Sequence, residues 1–136
     1  MKRSRSIVAA AALACGLFAA FAVVATAHTA RYDSTVTIHF QSDHGKHGAF
    51  KGKVISQKDR CQIHRTVAVR ERVDGPDQLI GTDMTNKDGQ WELEARGAPG
   101  AYYARARRKV LRKSADRLHV CKPAISQSLV IPKGKP

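Results

Sequence analysis

Aromatic residues are scarce. They make up 6% of 136 positions, with one tryptophan, so a core must be assembled mainly from valine, isoleucine, leucine and alanine. Acid is also short, with 11 Asp+Glu against 24 Lys+Arg, and the formal charge is +13. Three cysteines without a Cys-x-x-Cys pair exclude a thioredoxin-type redox motif and a zinc ribbon. No Gly-x-Ser-x-Gly elbow and no glycine-rich phosphate loop occur, which removes the usual signatures of serine hydrolysis and nucleotide binding. Beyond residue 24 no long apolar run remains, so a polytopic membrane protein is excluded. The length excludes a multidomain enzyme and leaves room for one domain.

The one long apolar run lies at the start. Lys2, Arg3 and Arg5 lead into Ile7–Val24, which ends in Ala25-Thr26-Ala27. A basic head, an apolar centre and small residues before the scissile bond read as a secretory signal peptide over 1–27, cleaved after Ala27. An uncleaved anchor is the competing reading of this segment, and a lipoprotein site at Cys15 fits less well because Leu17–Val24 stays apolar. The expected product is secreted or associated with the cell envelope. Removal of Lys2, Arg3 and Arg5 leaves 21 cations against 11 acids, a charge of +10. It also leaves two cysteines, Cys61 and Cys121, and an even count in an oxidising compartment reads as one disulfide.

Alternation of period two recurs through the rest. Val36, Ile38 and Phe40; Phe50, Gly52 and Val54; Val67, Val69, Glu71 and Val73; Trp91, Leu93 and Ala95; Tyr102, Ala104 and Ala106; and Leu129 with Ile131 each define one face. Turn chemistry separates them at Asp74-Gly75-Pro76, Asn86-Lys87-Asp88-Gly89 and Gly97-Ala98-Pro99-Gly100. Without a helical period, this pattern predicts an all-β chain, a single antiparallel β-sandwich of about seven strands with one disulfide. A lone helical turn between Val110 and Leu118 has room but no caps. The organisation read from the chain is 1–27 signal peptide, 28–47 N-terminal segment and first strand, 48–132 sandwich body, and 133–136 tail.

Phe50-x-Gly52-x-Val54, Cys61-x-x-x-Arg65-x-Val67-x-Val69, Gly81-Thr82-Asp83, Thr85-Asn86-Lys87-Asp88-Gly89-x-Trp91, Gly100-Ala101-Tyr102-Tyr103-Ala104, and Cys121 with Ser126 follow one another in order. Over 48–132 this resembles small exported bacterial domains of the transthyretin-like, or carboxypeptidase-regulatory-like, β-sandwich type. The resemblance implies a binding, spacer or accessory module and carries over no catalytic residue. Residues 28–48, rich in histidine, fall outside it.

The charge offers the leading functional expectation. Lys51, Lys53, Arg70, Arg72, Glu92, Glu94, Arg105 and Arg107 alternate toward solvent, and Glu92 and Glu94 are expected opposite Arg70 and Arg72. The stretch 96–122 carries nine cations against Asp116 alone. Within it Arg105, Arg107, Arg108, Lys109, Arg112, Lys113 and Arg117 are the candidate contacts for an anionic partner, an envelope polymer, a lipid headgroup or an acidic glycan. A specific nucleic-acid target is not expected of an exported chain. The rival reading of these charges is solubility.

Neither catalysis nor a cofactor is expected. Glu92 and Glu94 share a strand face, where exposed charge is the ordinary explanation. Asn86-Lys87-Asp88-Gly89 matches a calcium loop poorly, with Met84 and Ala95 at ligand positions. The alternative function is copper binding. Cleavage before His28 frees an amine beside an imidazole, and His39, His44 and His47 follow, a nitrogen set suited to Cu(II). This looks like the amino-terminal histidine ligation of periplasmic copper carriers and lytic polysaccharide monooxygenases.

Overall fold

The computed structural model describes residues 28–43 and 47–133. The signal-peptide reading, His44 and residues 134–136 of the tail lie outside the described residues.

Twelve strands and one short helical turn follow one another: β1 (His28–Tyr32), β2 (Thr35–Val36), β3 (His39–Ser42), β4 (His47–Ile55), a 3-10 turn at Asp59–Cys61, β5 (Thr66–Arg72), β6 (Gln78–Met84), β7 (Gln90–Arg96), β8 (Gly100–Ala106), β9 (Lys109–Lys113), β10 (Arg117–Cys121), β11 (Ala124–Ile125) and β12 (Leu129–Ile131). They form two packed layers and a small annex. One layer runs β11–β8–β5–β6, with β12 also on β8; the other is β2–β4–β3 with β7 on the far edge of β4; β1–β10–β9 is the annex.

The alternation in the sequence becomes the core. Phe50, Val54 and Trp91 from one layer meet Val67, Val69, Tyr102, Ala104 and Ala106 from the other, with Val36 among them. Phe50 packs on Phe40 and Tyr102 at ring separations of 5.0 and 4.9 Å, and each fully buried valine or phenylalanine contributes about 1.5–3 kcal/mol. Gly52 leaves no room for a side chain, since a Cβ there would lie 1.9 Å from the Thr37 carbonyl oxygen and 2.7 Å from the Trp91 ring. The hairpin ahead of β7 needs Gly89 at φ 76°. Its carboxamide partner is already engaged, since Asn86 Oδ1 accepts the amides of Asp88 and Gln90 at 2.9 and 3.0 Å. The side chain that a calcium loop would use for the ion therefore closes the turn instead.

The sandwich is as expected, with five corrections. Among the described residues the strands number twelve rather than about seven, because short pieces and the annex add to the main ones. Among the described residues one pairing is parallel, β1 with β10. Residues 110–118 form a β9–β10 hairpin, not a helical turn: the Ser114 amide donates to the Arg117 carbonyl at 2.8 Å, and Ser114 Oγ bonds Asp116 Oδ1 at 2.9 Å. Glu92 and Glu94 do not face Arg70 and Arg72. They lie on β7, in the other layer, where Glu92 is in register with Lys51 and pairs with it at 3.0 Å. Val73 falls beyond the end of β5 and is exposed.

The annex is fastened to the rest of the fold by a disulfide and by a buried arginine, among other contacts. Cys61 and Cys121 form the expected disulfide across a separation of 60 residues. Beside it stands Arg65, fully buried with no carboxylate partner. Its Nε donates to the Arg107 carbonyl at 2.5 Å, one terminal nitrogen to the Cys61 carbonyl at 2.8 Å and to Ser34 Oγ at 3.2 Å, and the other to the Lys122 carbonyl. One guanidinium thus collects four segments that are distant in sequence.

Candidate functional site

Residues directly opposite in an antiparallel ladder project to the same side. The pairing of β5 with β8 therefore sets Ala68 beside Arg105, Arg70 beside Tyr103 and Arg72 beside Ala101, on the side opposite the main core cluster, where Ala68 and Tyr103 are themselves buried. Arg107 continues the ladder, its amide donating to the Thr66 carbonyl at 2.8 Å. The flanking strands extend the rows. Leu79 of β6 lies beside Arg70, Met84 beside Thr66, Ile125 of β11 beside Arg105, and Val130 of β12 beside Ala101. Leu79, Met84, Ile125 and Val130 are 47%, 57%, 60% and 68% exposed, more than the interior use of such residues predicts. The outer face of this sheet carries four arginines interleaved with four exposed apolar side chains.

Tyr103 anchors its centre. Its hydroxyl donates to Asp77 Oδ2 at 2.7 Å, and the Arg72 guanidinium stands over its ring at 4.8 Å. The bond to Asp77 is the main cause that lifts the phenol above its ordinary pKa; burial and the Asp77 charge add to it, and Arg70 and Arg72 oppose it. Arg70 is oriented by a bond to the Asp77 carbonyl at 3.2 Å. Asp77 is the acid held against these arginines.

The cations expected to act together are divided by the fold. Arg105 and Arg107 belong to this outer face. Arg108 is exposed in the link to β9. Lys109 bends inward, its ammonium donating to the carbonyls of Arg60 and Ile63 at 3.0 and 2.6 Å. Burial, then the charges of Arg65 and Arg60, push its pKa down, so Lys109 helps hold the 3-10 turn. Arg112, Lys113 and Arg117 are exposed on the β9–β10 hairpin, where Arg117 approaches Asp116 at 3.7 Å. Arg70 and Arg72 are the members that reading along the chain missed; they join Arg105 only because β5 pairs with β8.

The histidines are likewise redistributed. His39 is in register with Lys51 and His47 with Arg96, so four residues of β4, about 13 Å, separate their positions along the strand. His28 belongs to the annex, where it meets His119. Among the described residues no group of three or more His, Cys, Asp or Glu side chains is placed to hold a metal ion. Glu92 and Glu94 line an open groove of about 690 Å³ with Asp43, His47, Lys51 and Arg96, on the far layer from the arginine field. Among the described residues no helix is long and apolar enough to cross a membrane. No protein-family model matches the chain, and no curated protein sequence matches it significantly.

Proposed function

We propose that this protein is exported after cleavage near Ala27 and acts as a non-catalytic binding module whose outer β6–β5–β8–β11/β12 face rests on an anionic lipid surface. The observation that carries the reading is the interleaving of Arg70, Arg72, Arg105 and Arg107 with exposed Leu79, Met84, Ile125 and Val130 on one face of the sheet. Arginine offers a planar fork of donors that suits phosphate. A purely polar polymer satisfies the arginines and leaves the apolar rows in water, whereas a headgroup layer above acyl chains engages both. An arginine near an anionic leaflet contributes about 1 kcal/mol, so four supply about 4 kcal/mol. Export is supported by the disulfide, which persists in oxidising compartments, and by the basic head, apolar run and small residues that precede His28 in the sequence.

Flotation with phosphatidylglycerol-containing vesicles, against phosphatidylcholine alone, tests the proposal. Retention is expected on the anionic vesicles, falling steeply with salt. The variant with Arg70, Arg72, Arg105 and Arg107 all changed to Gln is expected to stay unbound. Equal retention of that variant, or of the parent on neutral vesicles, overturns the reading. Retention on a soluble acidic glycan but not on vesicles also overturns it and assigns the face to a polymer.

A further inference from the structure

We infer that His28 and His119, with the α-amino group released by cleavage before His28, form a Cu(II) site on the β1–β10 edge. The inference rests on the proposed cleavage. Two imidazoles from opposite ends of the described fold meet there with ring centres 5.9 Å apart and planes 61° to one another. A metal bonded to one nitrogen of each ring at about 2 Å brings those nitrogens roughly 3–4 Å apart, which rings at this spacing reach by side-chain rotation alone. The parallel pairing of β1 with β10 fixes both backbones, with His28 against Arg117 and Ala30 against His119.

The surroundings orient the second ligand. Tyr32 Oη lies 3.3 Å from His119 Nδ1. When Nδ1–H donates to that oxygen, Nε2 of His119 carries the free lone pair, the arrangement by which outer partners set a ligand's tautomer. His28 N lies 2.8 Å from the Asp116 carbonyl oxygen, so the freed amine starts from a fixed position beside its own imidazole. The set is then one amine and two imidazoles.

Three nitrogen donors select a late divalent ion, with Cu(II) at the head of the affinity order. Hard cations find little here. Asp116 is engaged by Ser114 at 2.9 Å and Arg117 at 3.7 Å, and Arg112 and Arg117 stand in register with the two histidines. His39 and His47 are not part of this site.

Native mass spectrometry and electron paramagnetic resonance of the chain 28–136 with Cu(II) test the inference. One copper per chain with a three-nitrogen signature is expected. His119→Ala should weaken binding at least tenfold to a hundredfold, and so should acetylation of the His28 amine, which leaves every side chain in place. His119→Gln, with its melting transition checked, separates ligand loss from unfolding. His39→Ala with His47→Ala should change nothing. Unchanged affinity after loss of His119 or of the free amine overturns the site. The mass of the exported protein separates the two failures. A chain that starts elsewhere overturns cleavage and site together, whereas one that starts at His28 and takes no copper overturns the site alone.

Discussion

Replacing Arg65 by methionine keeps most of the side chain's length and removes its five donors. The carbonyls of Cys61, Arg107 and Lys122 then lose the group that binds them, the first in a buried and the other two in a partly buried setting. An unsatisfied buried acceptor costs about 1–3 kcal/mol, so we expect Arg65→Met to lower stability by about 3–5 kcal/mol. Arg65→Lys should recover only part, because an ammonium is a point charge and cannot span three carbonyls as a fork does. Urea unfolding checks both, read as a shift of the midpoint at unchanged slope. A loss below about 1 kcal/mol would mean that water replaces the guanidinium. Burial lowers the pKa of Arg65. The sequence places this residue in the Cys61-x-x-x-Arg65-x-Val67-x-Val69 motif but does not show its burial, since a buried arginine is defined by the carbonyls that converge on it, and these come from distant segments.

Among the elements, β10 depends most on covalent help. It pairs only with β1 and β9, and its end is tied to the 3-10 turn through Cys121. Closing a loop of this length is worth about 4 kcal/mol in the chain-entropy model. Reduction should therefore cost about that much, and it should do so unevenly. Amide exchange in β1, β9 and β10 should accelerate before exchange in β4, β5 and β8, whose contacts with the core survive. Uniform acceleration across all strands would show that annex and sandwich open as one unit. The same elements mark where the alternation in the sequence stops being readable. β4, β5, β7 and β8 lie in the interior of their layers or against the core, so Phe50, Val54, Val67, Val69, Trp91 and Tyr102 declare a buried face by period two. β6 is an edge strand with a register shift against Val69 and Arg70, and its Leu79 and Met84 point to solvent, so no such face appears. β10 carries another shift between His119 and Val120, which breaks the period where β9 and β10 pair. The arginine field was hidden for a related reason. Arg70 and Arg72 lie some thirty residues from Arg105 and Arg107 in the chain, and the register of β5 on β8 is what joins them.

For the whole molecule, the question is whether attraction to an anionic surface follows total charge or its placement. A net charge of +10 on the proposed mature chain draws any polyanion at long range. Contact, however, occurs within a Debye length, about 10 Å at 0.1 M salt, where only the charges on the touching face count fully. Two variants with the same net charge separate these effects. One changes Arg70, Arg72, Arg105 and Arg107 to Gln; the other changes Arg108, Arg112, Lys113 and Arg117, which lie on the hairpin and its approach. Lys109 is excluded because its ammonium holds the 3-10 turn. Placement predicts that the first variant loses vesicle retention while the second keeps most of it, with both losing some association rate through the weaker long-range field. Equal losses in the two variants would mean that the charge acts as a whole-body field and that the arginine face has no privileged role. The apolar rows supply an independent check on the same assembly. Changing Leu79, Met84, Ile125 and Val130 to Ser leaves the charge untouched, and on an acyl-backed surface it should weaken retention even at low salt, where electrostatic attraction is strongest.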